Sequence, residues 1–168
     1  GAVHLFERGA GGWPEVSRLV DPDPEPGERF GASLALVDDL LLVGGPHDGE
    51  APSLPGLVRI FRKHGPAWDL VATLRASTEH DGFGRSLAGL GSAAVVGGWG
   101  RAHLFSRRGD RWSRIALFTD EENRYSFGRT VALTDSAVLV GGGVEGDRHG
   151  AVFAFELPDP GGLPAGAP

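Results

Sequence analysis

An internal repeat constrains this chain more than any other feature of its sequence. A Phe-Gly pair followed by alternating small and apolar residues occurs three times, beginning at Phe30, Phe83 and Phe127. In each copy an apolar run ends in Gly-Gly, and its first Gly stands 14 residues after the Phe. Chance rarely reproduces one spacing in independent copies, so the pattern predicts a repeat architecture.

Each copy continues with a short apolar segment that ends in Phe, and one further segment of this kind opens the chain. These segments end at Phe6, Phe61, Phe105 and Phe155. A Trp follows the first three of them by seven residues, at Trp13, Trp68 and Trp112. Because the tryptophans recur at a fixed register, we interpret them as packing residues, each leading one more short strand.

The repeat predicts a unit of four short strands. Strand A follows Phe-Gly, strand B ends in Gly-Gly, strand C ends in Phe and strand D follows Trp. Strands this short, joined by turns rich in the 28 Gly and 12 Pro residues, form an antiparallel meander that cannot bury both its faces alone. Stacking such sheets around an axis buries them, so we predict an all-β fold of β-propeller blades.

The number of strands does not make a complete propeller. We count thirteen, or about three and a quarter blades: a half blade at 1–19, then units that start near Phe30, Phe83 and Phe127 and end by 157. Residues 158–168 form a Pro/Gly-rich tail. Either the chain is a piece of a longer polypeptide, or a second copy or a partner chain completes a ring of six or seven blades. We favour assembly with another chain.

The segment Phe30-Gly31 with Gly44-Gly45-Pro46 resembles the FG-GAP repeat of integrin α-subunit propellers and of many exported bacterial proteins. The resemblance implies an extracellular, cell-surface or periplasmic location, although no signal peptide is visible. Many blades of that family bind calcium between strands A and B. Here those connections, at 37–39, 89–92 and 134–136, lack the alternating carboxylates that calcium coordination needs, so the calcium sites are not carried over.

Composition and missing motifs exclude several function classes. The net charge of −6 argues against nucleic-acid binding and against attraction to anionic lipid headgroups. No apolar run is long enough for membrane insertion, and the absence of cysteine excludes disulfides and thiol chemistry. No nucleophile elbow or phosphate-binding loop is present, so we predict that the chain is not an enzyme.

The charges divide unequally between the two ends of the predicted blades. The D–A and B–C connections carry 13 acidic residues against five Arg, whereas the A–B and C–D connections carry five acidic residues against six basic ones. An acidic surface attracts cations and basic partners, but Asp and Glu also simply keep loops soluble. Both interpretations stay open.

Three places in the acidic loops pair histidine with carboxylates: His47 with Asp48, His80 with Asp81, and Asp147 with His149. Imidazole and carboxylate groups bind divalent metals. None of the three has the spacing of a known metal motif, and turn formation explains Asp-Gly pairs equally well. We therefore predict that the protein has no cofactor. The one candidate ligand for these His-carboxylate pairs is a divalent cation.

Aromatic residues in the same loops suit a ligand surface. Trp99 and Arg101 flank a tight B–C hairpin, and Tyr125 stands near carboxylates. Such groups bind sugar rings or protein hot spots, although Trp99 packing on a neighbouring blade is an equal alternative. The leading hypothesis is a non-catalytic, lectin-like recognition module for a glycan or protein ligand. The alternative is a structural subunit that completes a propeller by homo-oligomerisation or with a partner chain.

Overall fold

A computed structural model describes residues 1–47, 54–76, 81–120, 126–143 and 150–157. These residues form thirteen strands and no helix, so the predicted all-β fold is confirmed. The strands are β1 (Ala2–Phe6), β2 (Glu15–Val20), β3 (Ser33–Val37), β4 (Leu40–Gly45), β5 (Leu57–His64), β6 (Ala67–Arg75), β7 (Ser86–Leu90), β8 (Ala93–Gly97), β9 (Arg101–Arg108), β10 (Arg111–Thr119), β11 (Thr130–Leu133), β12 (Ala137–Gly143) and β13 (Gly150–Glu156).

The strands form four antiparallel sheets in sequence order. Blade 1 contains β1 and β2, blade 2 contains β3 to β6, blade 3 contains β7 to β10, and blade 4 contains β11 to β13. The order of strands matches the repeat, with C-D in blade 1, A-B-C-D in blades 2 and 3, and A-B-C in blade 4. The described sheets do not close into a ring, as the strand count predicts.

Pairing of strands C and D has the same irregularity in each blade that contains both. A β-bulge interrupts the register beside Phe6 in blade 1, beside Phe61 in blade 2 and opposite Phe105 in blade 3. Strands β6 and β10 run nine residues and include their Trp instead of starting after it. The reason is a two-residue turn in each hairpin, which lets pairing begin at once.

The core consists of three apolar clusters, and each lies between two successive blades. Phe30 and Phe61 belong to the cluster between blades 1 and 2, Phe83 to that between blades 2 and 3, and Phe127 to that between blades 3 and 4. Phe83 and Phe127 are fully buried. Each repeated Phe therefore packs in an apolar cluster between two blades.

The tryptophans show the same dependence on a preceding blade. Trp68 packs against the cluster between blades 1 and 2, and Trp112 against the one between blades 2 and 3, which confirms them as packing residues. The same prediction is wrong for Trp13, which is 65% exposed. Each Trp packs toward the blade before its own, and no described residues form a blade before blade 1.

The Gly-Gly pairs allow neighbouring blades to approach closely. A Cβ atom at Gly44 would overlap the carbonyl oxygen of Gly84, which belongs to the Phe-Gly turn of the next blade. The Ser33 hydroxyl donates a 2.6 Å hydrogen bond to that same oxygen. Blades 3 and 4 repeat the arrangement with Gly97 and Gly128. Only glycine leaves room for this contact.

We expect Gly44→Ala to lower the free energy of unfolding by roughly 1–3 kcal/mol, because the new methyl group must displace a backbone carbonyl. Gly11→Ala is the matched control, since nothing lies within 4 Å of a Cβ at Gly11. Urea denaturation followed by tryptophan fluorescence measures both. Equal stability of the two variants would show that the blades do not meet at Gly44.

Candidate functional site

The connections between strands lie at two opposite ends of the blades, as predicted. We call the end with the D–A and B–C connections the loop end, and the end with the A–B and C–D turns the turn end. Arg62 joins two turns by ion pairs of 3.1 Å to Asp39 and 2.7 Å to Asp110. At the loop end, Glu25 of a D–A connection lies 3.8 Å from His47 of a B–C connection.

A buried ion pair anchors the first D–A connection. The Arg59 Nε donates to Asp21 Oδ2 at 2.8 Å, and both side chains are almost completely buried. Arg59 also donates to the carbonyl of Asp23 at 3.0 Å and to the hydroxyl of Thr73 at 3.2 Å. Burial alone would raise the pKa of Asp21, but hydrogen bonds from Arg59, Glu28 and the Asp23 amide hold it below its usual value. The pair fixes the loop against strand β5.

Glu28 lies beside this pair, and its carboxyl group keeps a proton to a much higher pH than an ordinary Glu. Burial and a hydrogen bond to the Asp21 carboxylate raise the pKa of Glu28 from 4.5 to about 7. A Cβ atom at Gly45 would come within 2.6 Å of Glu28 Oε1, so the carboxyl group occupies the space above that glycine. Two adjacent carboxyl groups sharing one proton are the expected result when like charges are forced together.

Several polar atoms of the same loops have no hydrogen-bond partner. His47 is buried, and its Nε2 is unpaired, as are Glu25 Oε2 and Glu28 Oε1. The other Glu25 oxygen forms a 3.1 Å ion pair with Arg75. Unpaired buried polar atoms are costly, and these three are closed to solvent, so a polar ligand reaches them only if the loops open.

Trp99 packs within its own blade. Its ring lies over Gly82, and Arg85 stands 6.0 Å from the ring centroid. Its backbone N–H donates to the carbonyl of Asp81 at 2.5 Å, while an Asp81 carboxylate oxygen accepts from the Phe83 N–H at 3.0 Å. Trp99 is half-buried and Asp81 is buried, so both contribute to the structure of the hairpin.

The other predicted ligand residues are distributed as follows. Arg101 starts strand β9 and is half-buried, with a partner of its own. His47 lies near Glu25 of the first D–A connection. The candidates Asp48, His80, Tyr125, Asp147 and His149 lie outside the described residues.

Within the described ranges, no three His, Cys, Asp or Glu side chains are arranged to hold a metal ion. The same ranges contain no helix, and hence no helix that is long and apolar enough to cross a membrane.

Large apolar side chains are exposed on every described blade, and on the two outermost blades some of them lie on the side that faces no other described blade. On blade 1 the exposed fractions are 53% for Phe6, 65% for Trp13 and 54% for Val20. On the far side of blade 4, Val152 is 72% exposed. We call the first surface the blade-1 face and the second the blade-4 face. The sequence analysis did not single out these side chains, because it interpreted Trp13 as a packing residue like the other two repeated tryptophans.

Ion pairs link successive blades at the turn end. Lys63 of blade 2 lies 2.7 Å from Glu7, which follows strand C of blade 1. Arg107 of blade 3 lies 3.6 Å from Asp38 in the A–B turn of blade 2. In both pairs the cation belongs to the later blade, and it stands two residues after the Phe that ends the regular part of strand C.

The buried Arg59 and the raised pKa of Glu28 were missed by sequence reasoning. The sequence does contain a signal for Arg59, because this charged residue interrupts the apolar segment from Val58 to Phe61. Its partner Asp21 belongs to the acidic connection that follows strand β2. Blade 3 carries His103 at the same register. Burial, together with the positive charges of Arg114 and Arg101, lowers the pKa of His103 to about 4.

Comparison with known proteins supports the repeat assignment. Residues 13–58 match the family model of the FG-GAP repeat, so the predicted resemblance is confirmed for the segment from Trp13 to strand β5. No curated protein matches the chain in sequence. Solved structures that match the chain include the crystal structure of glutaminyl cyclase from Myxococcus xanthus, which is 11% identical with a TM-score of 0.41. The match covers 75% of this chain and 50% of that enzyme, and it carries no inference about activity.

We expect Glu28 to lower the stability of the protein as pH rises from 4.5 to about 7, and Glu28→Gln to remove this contribution, whereas His103, whose pKa is lowered to about 4, acts in the opposite sense in both proteins. Between pH 4.5 and about 7 the folded protein holds a proton on Glu28 that the unfolded chain releases. The stabilisation is therefore complete below pH 4.5 and disappears above pH 7. Asp21 titrates below this window, since its pKa is lowered. Urea denaturation of both proteins at about pH 5 and pH 8 measures the difference.

The control for this measurement is Glu156→Gln, which neutralises an exposed carboxylate of strand β13. Its stability should follow that of the unmodified protein at both pH values. If Glu28→Gln also follows it, Glu28 does not hold a proton near neutral pH.

Proposed function

We propose that this chain is a non-catalytic assembly module, which extends its stack of β-propeller blades by binding another protein chain over the blade-1 face. One observation carries the proposal. Phe6 and Trp13 are exposed, whereas the residues at the same repeat positions in blade 2, Phe61 and Trp68, pack against a neighbouring blade.

The cost of leaving this face in water supports the proposal. Burying a large apolar side chain stabilises a protein by about 1.5–3 kcal/mol, and the blade-1 face presents three such side chains along its hairpin. Exposed apolar patches that are contiguous mark interaction sites in soluble proteins. The face also has a defined shape, because the β-bulge beside Phe6 repeats the geometry of the enclosed blades.

We expect the protein to self-associate in solution, and the combined variant Phe6→Glu with Trp13→Glu to be monomeric. Two carboxylates placed in an apolar contact must be desolvated without partners, which disfavours association strongly. Sedimentation velocity over a range of protein concentrations measures the mass of each. A monomeric unmodified protein over the whole range contradicts the proposal.

Ile115→Glu is the matched control. Ile115 is an exposed apolar residue of strand β10, but its blade has described neighbours on both sides. The control should associate like the unmodified protein. Loss of association in the control would assign the effect to charge in general and not to the blade-1 face.

A second candidate function is recognition of a glycan or protein ligand at the loop end. The unpaired atoms of Glu25, Glu28 and His47 favour it, because a ligand that supplies hydrogen bonds to them relieves a desolvation penalty. The module would then act outside the cell or in the periplasm, as the repeat family suggests, and would bind neither nucleic acid nor membranes.

A glycan array tests the second candidate with three variants, His47→Ala, Trp99→Ala and Tyr125→Ala. We expect binding of at least one glycan class, and a loss of about tenfold or more in affinity for a variant that removes a central contact. The combined Phe6→Glu and Trp13→Glu variant serves as the control, since it leaves the loop end unchanged. Absence of binding, or equal binding by all variants, argues against a glycan ligand at this end.

A further inference from the structure

We propose that the blade-1 face binds the blade-4 face of a second copy of this chain, so that copies stack head to tail with Arg8 of one copy against Asp135 and Glu156 of the next. The inference rests on the proposed assembly function and names the partner, the surface and the register.

The position of the cation repeats through the chain. Lys63 and Arg107 each stand two residues after the Phe of strand C, and each forms an ion pair with the preceding blade. Arg8 stands two residues after Phe6 and is exposed. The same position in blade 1 therefore offers a cation to a preceding blade, and the described residues contain no such blade.

The acidic partners of those cations also recur, in blade 4. Glu7, which pairs with Lys63, directly follows a strand C Phe, and Glu156 directly follows Phe155. Asp38, which pairs with Arg107, lies in an A–B turn, and Asp135 takes its place in the turn of blade 4. Both Asp135 and Glu156 are exposed. Blade 4 thus presents the two acids that a following cation would meet.

The apolar parts of the two faces are complementary in the same register. Phe61 packs in the cluster that contains Val3 and Leu5 of the preceding blade. Blade 4 carries Val152 and Ala154 at the positions of Val3 and Leu5, and both are exposed. The aromatic residues of the blade-1 face would therefore cover them, as Phe61 covers its neighbours.

The difference between the faces favours a head-to-tail contact over a symmetric one. The blade-1 face offers aromatic side chains and a cation, whereas the blade-4 face offers Val152, Ala154 and two acids. The blade-1 face of one copy therefore suits the blade-4 face of another. Such heterologous contacts build closed rings or longer stacks, depending on the angle between copies.

Site-specific cross-linking tests the register, and the chain suits it because it contains no cysteine. Arg8→Cys and Asp135→Cys are made as separate proteins, mixed, and treated with a short bismaleimide. We expect a covalent dimer in the mixture and none from either variant alone. Arg8→Cys mixed with Asp69→Cys is the control and should give no dimer, because Asp69 is an exposed residue on an outer strand of blade 2.

Charge reversal gives an independent measurement by sedimentation. Arg8→Asp should weaken self-association about three- to tenfold at low ionic strength, because it places like charges together. Combining it with Asp135→Arg should restore the association. These substitutions lie on exposed turns, so they leave the apolar clusters intact.

The outcomes distinguish the head-to-tail register from the assembly function. A dimer formed by Arg8→Cys alone, or association without any cross-link in the mixture, overturns the head-to-tail register while the assembly function stands. Absence of self-association in the unmodified protein overturns both. Cross-linking confined to the mixture, together with rescue by the double charge reversal, supports the register.

Discussion

The close approach of neighbouring blades at glycine is the constraint on which the rest of the structure depends. The backbone of a Phe-Gly turn lies against the Gly-Gly end of strand B in the preceding blade, and Ser33 and Ser86 donate hydrogen bonds to its carbonyl oxygen. This contact fixes the distance between two sheets. The Phe side chains then reach the clusters between blades, and the strand C residues meet across the junction.

Polar groups at the two ends of the blades serve different purposes. At the turn end, exposed ion pairs such as those of Lys63 and Arg107 align one blade with the next and contribute little stability. At the loop end, Arg59 and Asp21 form a buried pair that Glu28 joins through a shared proton. Much of the acidic charge in the described loops is therefore bound internally, and less of it faces a ligand than its abundance suggests.

The repeat predicted the thirteen described strands and their order, because the spacing between Phe, Gly-Gly and Trp indicates where each strand lies, although β6 and β10 start earlier than predicted. It could not predict that Trp13 is exposed, since the exposure of each Trp depends on whether a preceding blade covers it. The environment of Glu28 was also hidden, because its partners Asp21 and Gly45 are distant in the repeat pattern. For the ligand residues, spacing identified loops but not which side chains meet: His47 approaches Glu25, while Trp99 packs on Gly82.

The three separate apolar clusters have a consequence for how the protein opens. Among the described residues no cluster connects more than two blades, so the stack behaves as a chain of nearest-neighbour contacts. Blades 2 and 3 are held from both sides, whereas blades 1 and 4 are held from one. Backbone amides of the isolated chain should then exchange slowly in blades 2 and 3 and faster in blades 1 and 4. A second copy bound at the outer blades would slow exchange there and reduce this difference.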